Sequence, residues 1–480
     1  MSSPFTSRST ALGALSIAGL MTILDGSIVT VALPAVQEDL GFSAAGLSWL
    51  VNAYLIAFGG LLLLAGRLGD LIGRRTMFLA GNVIFTVASL LAAAATGPGL
   101  LILARFLQGV GSAAASAVIL GILVTLFTEP GERAKAIAVF SFTGAAGASI
   151  GQVLGGVLTD LLNWHWIFLI NVPIGLTVVA LALRAIPADR GLGLSAGADV
   201  LGALLVTSGL MLGIYTIVKV ETRGWLVAHT LGLGALSLVL LAAFVARQAT
   251  AKTPLMPLRI LRSRNVAGAN LAQMLALSAM FAFQILVALY MQKVLGYSAL
   301  GTGLAMLPAA VAIGVVSLFV SARLSARFGP KAILLAGLVL LAGAMILLTR
   351  IPVQAEYVAH LLPVMLLISG GGLVLPALAM LAMSGAREED AGLASGFFNT
   401  TQQVGMAIGV AVLSTLAAGR TEHLLAGGTD QATALTSGYH LAFTISAILL
   451  GAAFVVALIV LRSPVQKQAE VRADEESAVL

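Results

Sequence analysis

Cysteine is absent from the sequence, which excludes a disulfide framework, a thiolate metal site and a thiol nucleophile. Charge is nearly as scarce. Asp, Glu, Lys and Arg make up 10% of the chain, against roughly 25% in soluble domains, so there is too little charge to cover a water-facing surface. Histidines number five, and no cluster of polar catalytic groups, metal ligands or cofactor-binding glycines gathers near one end of any apolar run. An enzyme, a resident metal and a bound cofactor are therefore not expected. What fills the chain instead is 59% hydrophobic residues and 53 glycines, with a mean hydropathy of +1.04. Glycine at that level suits helices whose backbones approach closely in lipid.

A transmembrane helix needs about 20 mostly apolar residues to cross roughly 30 Å of hydrocarbon. Fourteen such stretches occur, at 11–34, 45–66, 76–96, 99–123, 134–160, 166–186, 199–219, 225–246, 264–293, 299–321, 331–349, 357–383, 390–418 and 437–461. The first is too long for a signal-peptide core and carries Asp25 at its centre. With the N-terminus inside, 20 of the 26 basic residues fall on the cytoplasmic side, five fall outside, and Arg105 lies within the fourth span. This asymmetry places both termini in the cytoplasm. It also accounts for the net charge of +6 without nucleic acid as a partner; the lipid bilayer is the partner instead.

The loop after span two reads Gly66-Arg-Leu-Gly-Asp-Leu-Ile-Gly-Arg-Arg75, and the loop after span ten reads Ala322-Arg-Leu-Ser-Ala-Arg-Phe-Gly-Pro-Lys331. Arg67/Arg323, Leu68/Leu324, Gly73/Gly329 and Arg75/Lys331 share one offset of 256 residues. The same offset lays spans one, four and five on spans nine, twelve and thirteen. The fold class that follows is all-α membrane: an N-terminal six-helix bundle (1–186), an inserted helix pair with flanking loops (187–263), a C-terminal six-helix bundle (264–461) and a cytoplasmic tail (462–480). Parallel halves of this kind describe major facilitator transporters.

Five motifs carry a resemblance to that superfamily over nearly the whole chain, and in particular to its fourteen-span drug:proton antiporter branch. Leu24-Asp25-Gly-Ser-Ile-Val-Thr-Val-Ala-Leu33-Pro34 is similar to the branch's first-helix signature. Gly66–Arg75 resembles the superfamily's cytoplasmic loop motif, and Arg105-Phe-Leu-Gln108-Gly109 its fourth-helix motif. Gly147-Ala-Ser-Ile-Gly151-Gln152-Val-Leu-Gly155-Gly156 is similar to the fifth-helix antiporter motif, and Trp164-His-Trp-Ile-Phe-Leu-Ile-Asn171-Val-Pro173 to the sixth-helix opening. Two positions depart from the pattern: Gln152 stands where the motif has Pro, and His165 where Arg is common. Gly147 to Gly151 also fits G-x-S-x-G, but a nucleophile elbow needs a strand–turn–helix setting, which a bilayer span does not supply.

Every acidic residue except Asp25 can be placed in a loop, tail or span end. A charge at mid-bilayer costs on the order of 2.5–3.5 kcal/mol, so Asp25 is either a proton carrier that also meets substrate, or a structural carboxyl bonded to neighbouring helices. Thr22, one turn earlier, shares its face and is expected to orient it. Arg105, with Gln108 and Ser112 continuing a polar stripe, is the other charge at that depth and is expected to pair with Asp25 or with carbonyls. The resemblance implies proton coupling for Arg105; a structural clamp on a bundle-internal network is the alternative. Gly66, Asp70, Gly73 and Arg74, with Arg67, Arg75 and, across the next loop, Arg133, form either an ion-pair gate, which the resemblance implies, or a stabilised turn.

Gly147, Gly151 and Gly155, with Gln152 beside them, give span five a bare helix-packing stripe. The resemblance assigns that stripe to the state-switching interface; static packing is the alternative. Asn399, Gln402, Gln403 and Met406 fall at helical spacing on span thirteen, and Asn270, Gln273, Phe281 and Gln284 on span nine. Amides with Met and aromatic bulk make an adaptable cavity wall, or else bond between helices; Trp49 and Asn52 are further candidates. The expected function is proton-coupled efflux of bulky lipophilic molecules such as drugs by alternating access, from a bacterial cytoplasmic membrane, by a monomer. The rivals are a proton-coupled nutrient importer, which should show more charge in its cavity, and a non-transporting membrane sensor.

Overall fold

Gly73 ends one helix and begins the next at φ +101°, and Gly329, its counterpart in the internal repeat, does the same at φ +81°. A side chain at either position would be strained. The repeat is thus present in backbone conformation as well as in residues. In this computed structural model the described residues are 4–462, apart from 45, 194, 196, 225, 226, 257 and 386–390. Some helical side chains, Arg133 among them, also lie outside the description.

The helices are α1 (Pro4–Leu40), α2 (Trp49–Ile72), α3 (Arg74–Ala93), α4 (Pro98–Leu126), α5 (Pro130–Leu161), α6 (His165–Ala185), α7 (Val200–Arg223), α8 (Ala228–Thr250), α9 (Arg264–Lys293), α10 (Ala299–Ser325), α11 (Pro330–Leu348), α12 (Tyr357–Ser384), α13 (Ala391–Ala426) and α14 (Gln431–Val460). Thirteen helices among the described residues are long and apolar enough to cross a membrane, and α5, with its apolar Ile150–Leu161 portion, stands where the fifth span was expected. In lipid every backbone N–H and C=O must be satisfied internally, which is why apolar runs of this length become helices. Pro98, Pro130 and Pro330 occupy the first turns of α4, α5 and α11, where the missing N–H costs nothing.

Several boundaries differ from hydropathy. α1 runs on past Pro34 to Leu40, and α14 starts at Gln431 because Asp430 accepts the Thr433 N–H at 3.0 Å and caps it. α12 is interrupted by π and 3-10 turns before Gly371. There a Cβ on Gly337 or Gly370 would strike the other's carbonyl, so α11 and α12 touch at bare backbone. Buried apolar side chains gather into two large cores, one mainly from α1 to α6 and one from α9 to α14. α7 packs against α2 of the first bundle and α13 of the second, while α8 packs on α7. The face carrying Arg67, Asp70 and Arg74 is termed the basic face below.

Candidate functional site

Asp25, on α1, is completely buried. Its Oδ2 accepts from the Arg105 Nη1 at 2.5 Å, and its Oδ1 accepts from Asn171 Nδ2 at 2.9 Å and Gln108 Nε2 at 3.2 Å. Arg105 donates further from Nε to the Leu50 carbonyl at 2.9 Å and from Nη1 to Gln108 Oε1 at 2.7 Å. Gln108 Nε2 reaches Ser89 Oγ at 2.8 Å. Side chains or carbonyls of α1, α2, α3, α4 and α6 thus converge on one ion pair. Desolvated pairs of this kind hold only when their remaining donors and acceptors are satisfied, and here each carboxylate oxygen has a partner.

The polar stripe on α4 therefore does meet Asp25. Thr22 does not orient it: its hydroxyl donates to the Ala18 carbonyl one turn back, an intrahelical alternative open to any Thr in a helix. Asn171, at the restart of α6 after its break at Ile170, is the group that sequence reading missed as a site residue. Its presence in the sixth-helix motif was the available signal.

Tyr54 closes the network on the side of the basic face. Arg105 Cζ lies 4.5 Å from its ring centroid, its hydroxyl meets Ser112 Oγ at 3.0 Å, and its ring packs edge-on against Phe58 at 5.9 Å. Phe58 in turn lines a cavity of about 800 Å³, within the range of drug-sized sites. Leu62, Leu120, Phe140 and Leu255 supply apolar wall, Asn399 and Gln403 supply amides, and Arg67, Asp70 and Arg74 stand among its lining. The cavity lies between the halves, since α2, α4 and α5 contribute one side and α13 the other. At the opposite face a smaller cavity of about 240 Å³ lies between α1, α2, α9, α13 and α14.

Of the expected cavity residues, Asn399 and Gln403 line the larger cavity and Asp25, Gln108 and Gln273 do not; these last three are fully buried. Gln273 bonds the Phe398 carbonyl and Gln402 Oε1, so those amides join α9 to α13. Asn270 likewise accepts from Thr401 Oγ1. Trp49 faces Tyr215 of α7 with ring centroids 6.4 Å apart. Asn52 is fully buried; Phe281 and Gln284 are half-buried and Met406 is buried, all outside the lining of either cavity.

At the basic face Asp70 pairs with Arg74 at 3.2 Å across the Gly73 break. The other arginines of the cluster go elsewhere: Arg67 donates to the Gly197 carbonyl and Arg75 to the Leu183 carbonyl. The backbone N–H groups of Arg74 and Arg75 are held by Asp189 at 2.6 and 3.0 Å. Asp189 thus caps α3 from the segment that leads to the inserted pair, a role invisible in the local pattern. Arg133 falls among the side chains outside the description.

The glycine stripe of α5 faces α1, within its own half. Cβ atoms at Gly147, Gly151 and Gly155 would lie against the carbonyls of Leu20, Leu24 and Ile28. Of the two readings open for the stripe, switching interface or static packing, its position against α1 favours packing within the bundle. The contact between halves belongs to the adjacent face, where a Cβ on Gly156 would meet Leu300 and one on Gly303 would overlap the Gln152 carbonyl. α5 is continuous through Gln152 and through the G-x-S-x-G match.

A model of the Major Facilitator Superfamily matches residues 15–410. Puromycin resistance protein pur8 of Streptomyces alboniger is 39% identical, over 92% of this chain and 89% of its own. Cephamycin export protein CmcT of Amycolatopsis lactamdurans is 39% identical, over 86% and 85%. The fold is similar to that of a bacterial homolog of the human lysosomal transporter Spinster, with a TM-score of 0.69 at 15% identity, over 95% of this chain and 98% of that one.

Proposed function

The chain belongs to the Major Facilitator Superfamily and is an efflux transporter of small molecules, and on that premise we propose a proton antiport cycle in which Asp25 carries the proton and the cavity at the basic face takes the cargo. The observation that carries this reading is the sealed Asp25–Arg105 pair, with side chains 0% and 1% exposed. Removing one partner of such a pair costs about 3–5 kcal/mol, an expense a transporter offsets when the pair must exchange a proton.

The ionised carboxylate accepts three hydrogen bonds, from Arg105, Gln108 and Asn171. A proton on Asp25 turns one accepting oxygen into a donor and cancels the attraction to Arg105. With the proton on Oδ2, Arg105 keeps Leu50 and Gln108, Oδ1 still accepts from Gln108 and Asn171, and the charged tie between α1 and α4 is lost. That rearrangement is the event we couple to rocking of the halves, with the basic face in the cytoplasm, both termini there, and the cavity loading from that side of a bacterial cytoplasmic membrane. Both bundles lie in one chain, so a monomer suffices. Every assigned role is one of binding, gating or proton exchange, with no catalysis.

The cargo reading follows from the wall. Among the described residues of the lining, carboxylate appears only at Asp70, already paired with Arg74, so a lipophilic cation meets no unpaired deep acid there. Neutral, bulky, lipophilic molecules fit such a wall, and relatives are named for puromycin resistance and cephamycin export. Export and resistance names among the relatives favour efflux over nutrient import.

The test uses inside-out vesicles containing the purified protein, acidified within. Cargo is expected to accumulate inside and to leave when a protonophore collapses the gradient. Accumulation indifferent to the gradient, or driven in the same direction as proton flow, would overturn the antiport reading.

A further inference from the structure

At the face opposite the basic loops, three hydrogen-bonded links among the described residues cross between the halves. Gln292 donates to the Val31 carbonyl at 3.0 Å, Lys293 donates to Gln37 Oε1, and Asp160 binds the start of α10. The third link differs in kind. Asp160 sits at the end of α5, in the first half; its Oδ1 accepts from the Ala299 N–H at 3.2 Å and its Oδ2 from the Leu300 N–H at 2.7 Å. These are first-turn donors of α10, in the second half, which no intrahelical carbonyl can satisfy. Ser298 caps the same turn by accepting from Gly301, so the cap is completed across the gap by the other half. A full negative charge also meets the positive end of the helix there.

We infer that Asp160 is a positioning residue of the transport cycle, the latch that holds the face opposite the basic loops shut while the cavity at the basic face is open. One turn along α5, Gly156 meets Leu300 at backbone distance, and Gln152 meets Gly303. The latch thus locks a helix pair already at its closest approach. Opening that face separates the end of α5 from the start of α10, and both bonds break. Asp160 is solvent-exposed, so water replaces the lost partners at modest cost, as a reversible catch requires. The inference rests on the alternating-access reading above.

The absence of cysteine makes the experiment direct. Ser414 lines the smaller cavity and Ser116 the larger one, so Ser414→Cys and Ser116→Cys, each as a lone thiol, report opposite openings to a membrane-impermeant maleimide. Adding Asp160→Ala is expected to raise the Ser414→Cys labelling rate about 5- to 30-fold and to lower that of Ser116→Cys. Asp160→Asn, which keeps the volume and loses the charge, should shift both rates in the same directions by less, and Asp160→Glu should recover part of the effect. Unchanged rates, or a rise at both reporters, would overturn the latch; the second would mark general loosening. A parent whose two reporters fail to respond reciprocally to cargo would count against alternating access itself. A responsive parent matched by its Asp160 variants would count against the latch alone.

Discussion

The ring of Tyr54 lies 4.5 Å from the guanidinium of Arg105 and stands between that group and Phe58, on the cavity wall. Along α4, Arg105 and the lining residue Ser116 are separated by about 16 Å at 1.5 Å per residue. The aromatic pair therefore bounds the ion pair on its cavity side, where a cation–π contact of this type contributes about 0.5–2 kcal/mol.

Tyr54→Ala is expected to let water reach Asp25 from the cavity and to raise proton leak in cargo-free vesicles several-fold. Tyr54→Phe keeps the ring, loses the Ser112 bond and should leak much less. Leak is read as the decay of an imposed pH gradient, and equal leak from the parent and Tyr54→Ala would show that the ring is not the barrier.

Asp25→Asn keeps the size and one accepting oxygen but cannot titrate. Gradient-driven export should vanish while insertion and folding persist, and cargo binding should lose whatever pH response the parent shows. Full active transport by this variant would remove Asp25 from the coupling.

Arg105→Ala should lose activity and cost about 3–5 kcal/mol of stability, because Asp25 stays buried without its counter-charge. Arg105→Lys should recover only part of both, since one ammonium lacks the planar fork that reaches Leu50, Asp25 and Gln108 together. Transport and thermal unfolding of the two variants check this; equal behaviour of Lys and the parent would mean that charge alone matters.

A purely structural carboxylate offers a contrast in pH behaviour. Asp199 caps α7 and is buried, and burial by itself would push its carboxyl up. The Gly202 N–H, the Gln248 amide and the Arg247 guanidinium outweigh that and hold it below the usual carboxylate range. A lowered folded value means the stabilisation is complete above the ordinary range and is lost as pH falls through the folded value. Asp199→Ala should therefore cost about 1–3 kcal/mol near neutrality, with the gap to the parent closing in strong acid. Thermal unfolding across pH measures it, and a gap that widens in acid would contradict the sign.

Hydropathy and the 256-residue offset made the bundles and their paired breaks at Gly73 and Gly329 legible, because both signals are local or periodic. The Asp25–Arg105 pair was legible for a different reason: two opposite charges at one depth in lipid have few other partners. Asn171 was missed because it lies 146 residues from Asp25 and carries no charge to mark it. Gln273 and Gln402 were placed on a cavity wall because helical spacing identifies a polar face without saying what that face meets. The glycine stripe announced close helix packing without naming the partner, as small residues permit close approach to a helix of either half. Asp189 and Asp160 cap helices remote in sequence, and a cap supplied from another segment leaves no trace beside the helix it closes.

α7 rests on α2 and α13 at once. Gly60 lets Thr207 approach α2, and Trp49 lies tilted against Tyr215. A two-bundle transporter has two seams through which acyl chains can look into the gap between its halves, and here one of them is roofed by the inserted pair. Access from bilayer to cavity is expected to be lopsided as a consequence, with a molecule dissolved in the membrane meeting a wall on the α2–α13 flank. The extra helices thus give a pseudo-symmetric machine a front and a back.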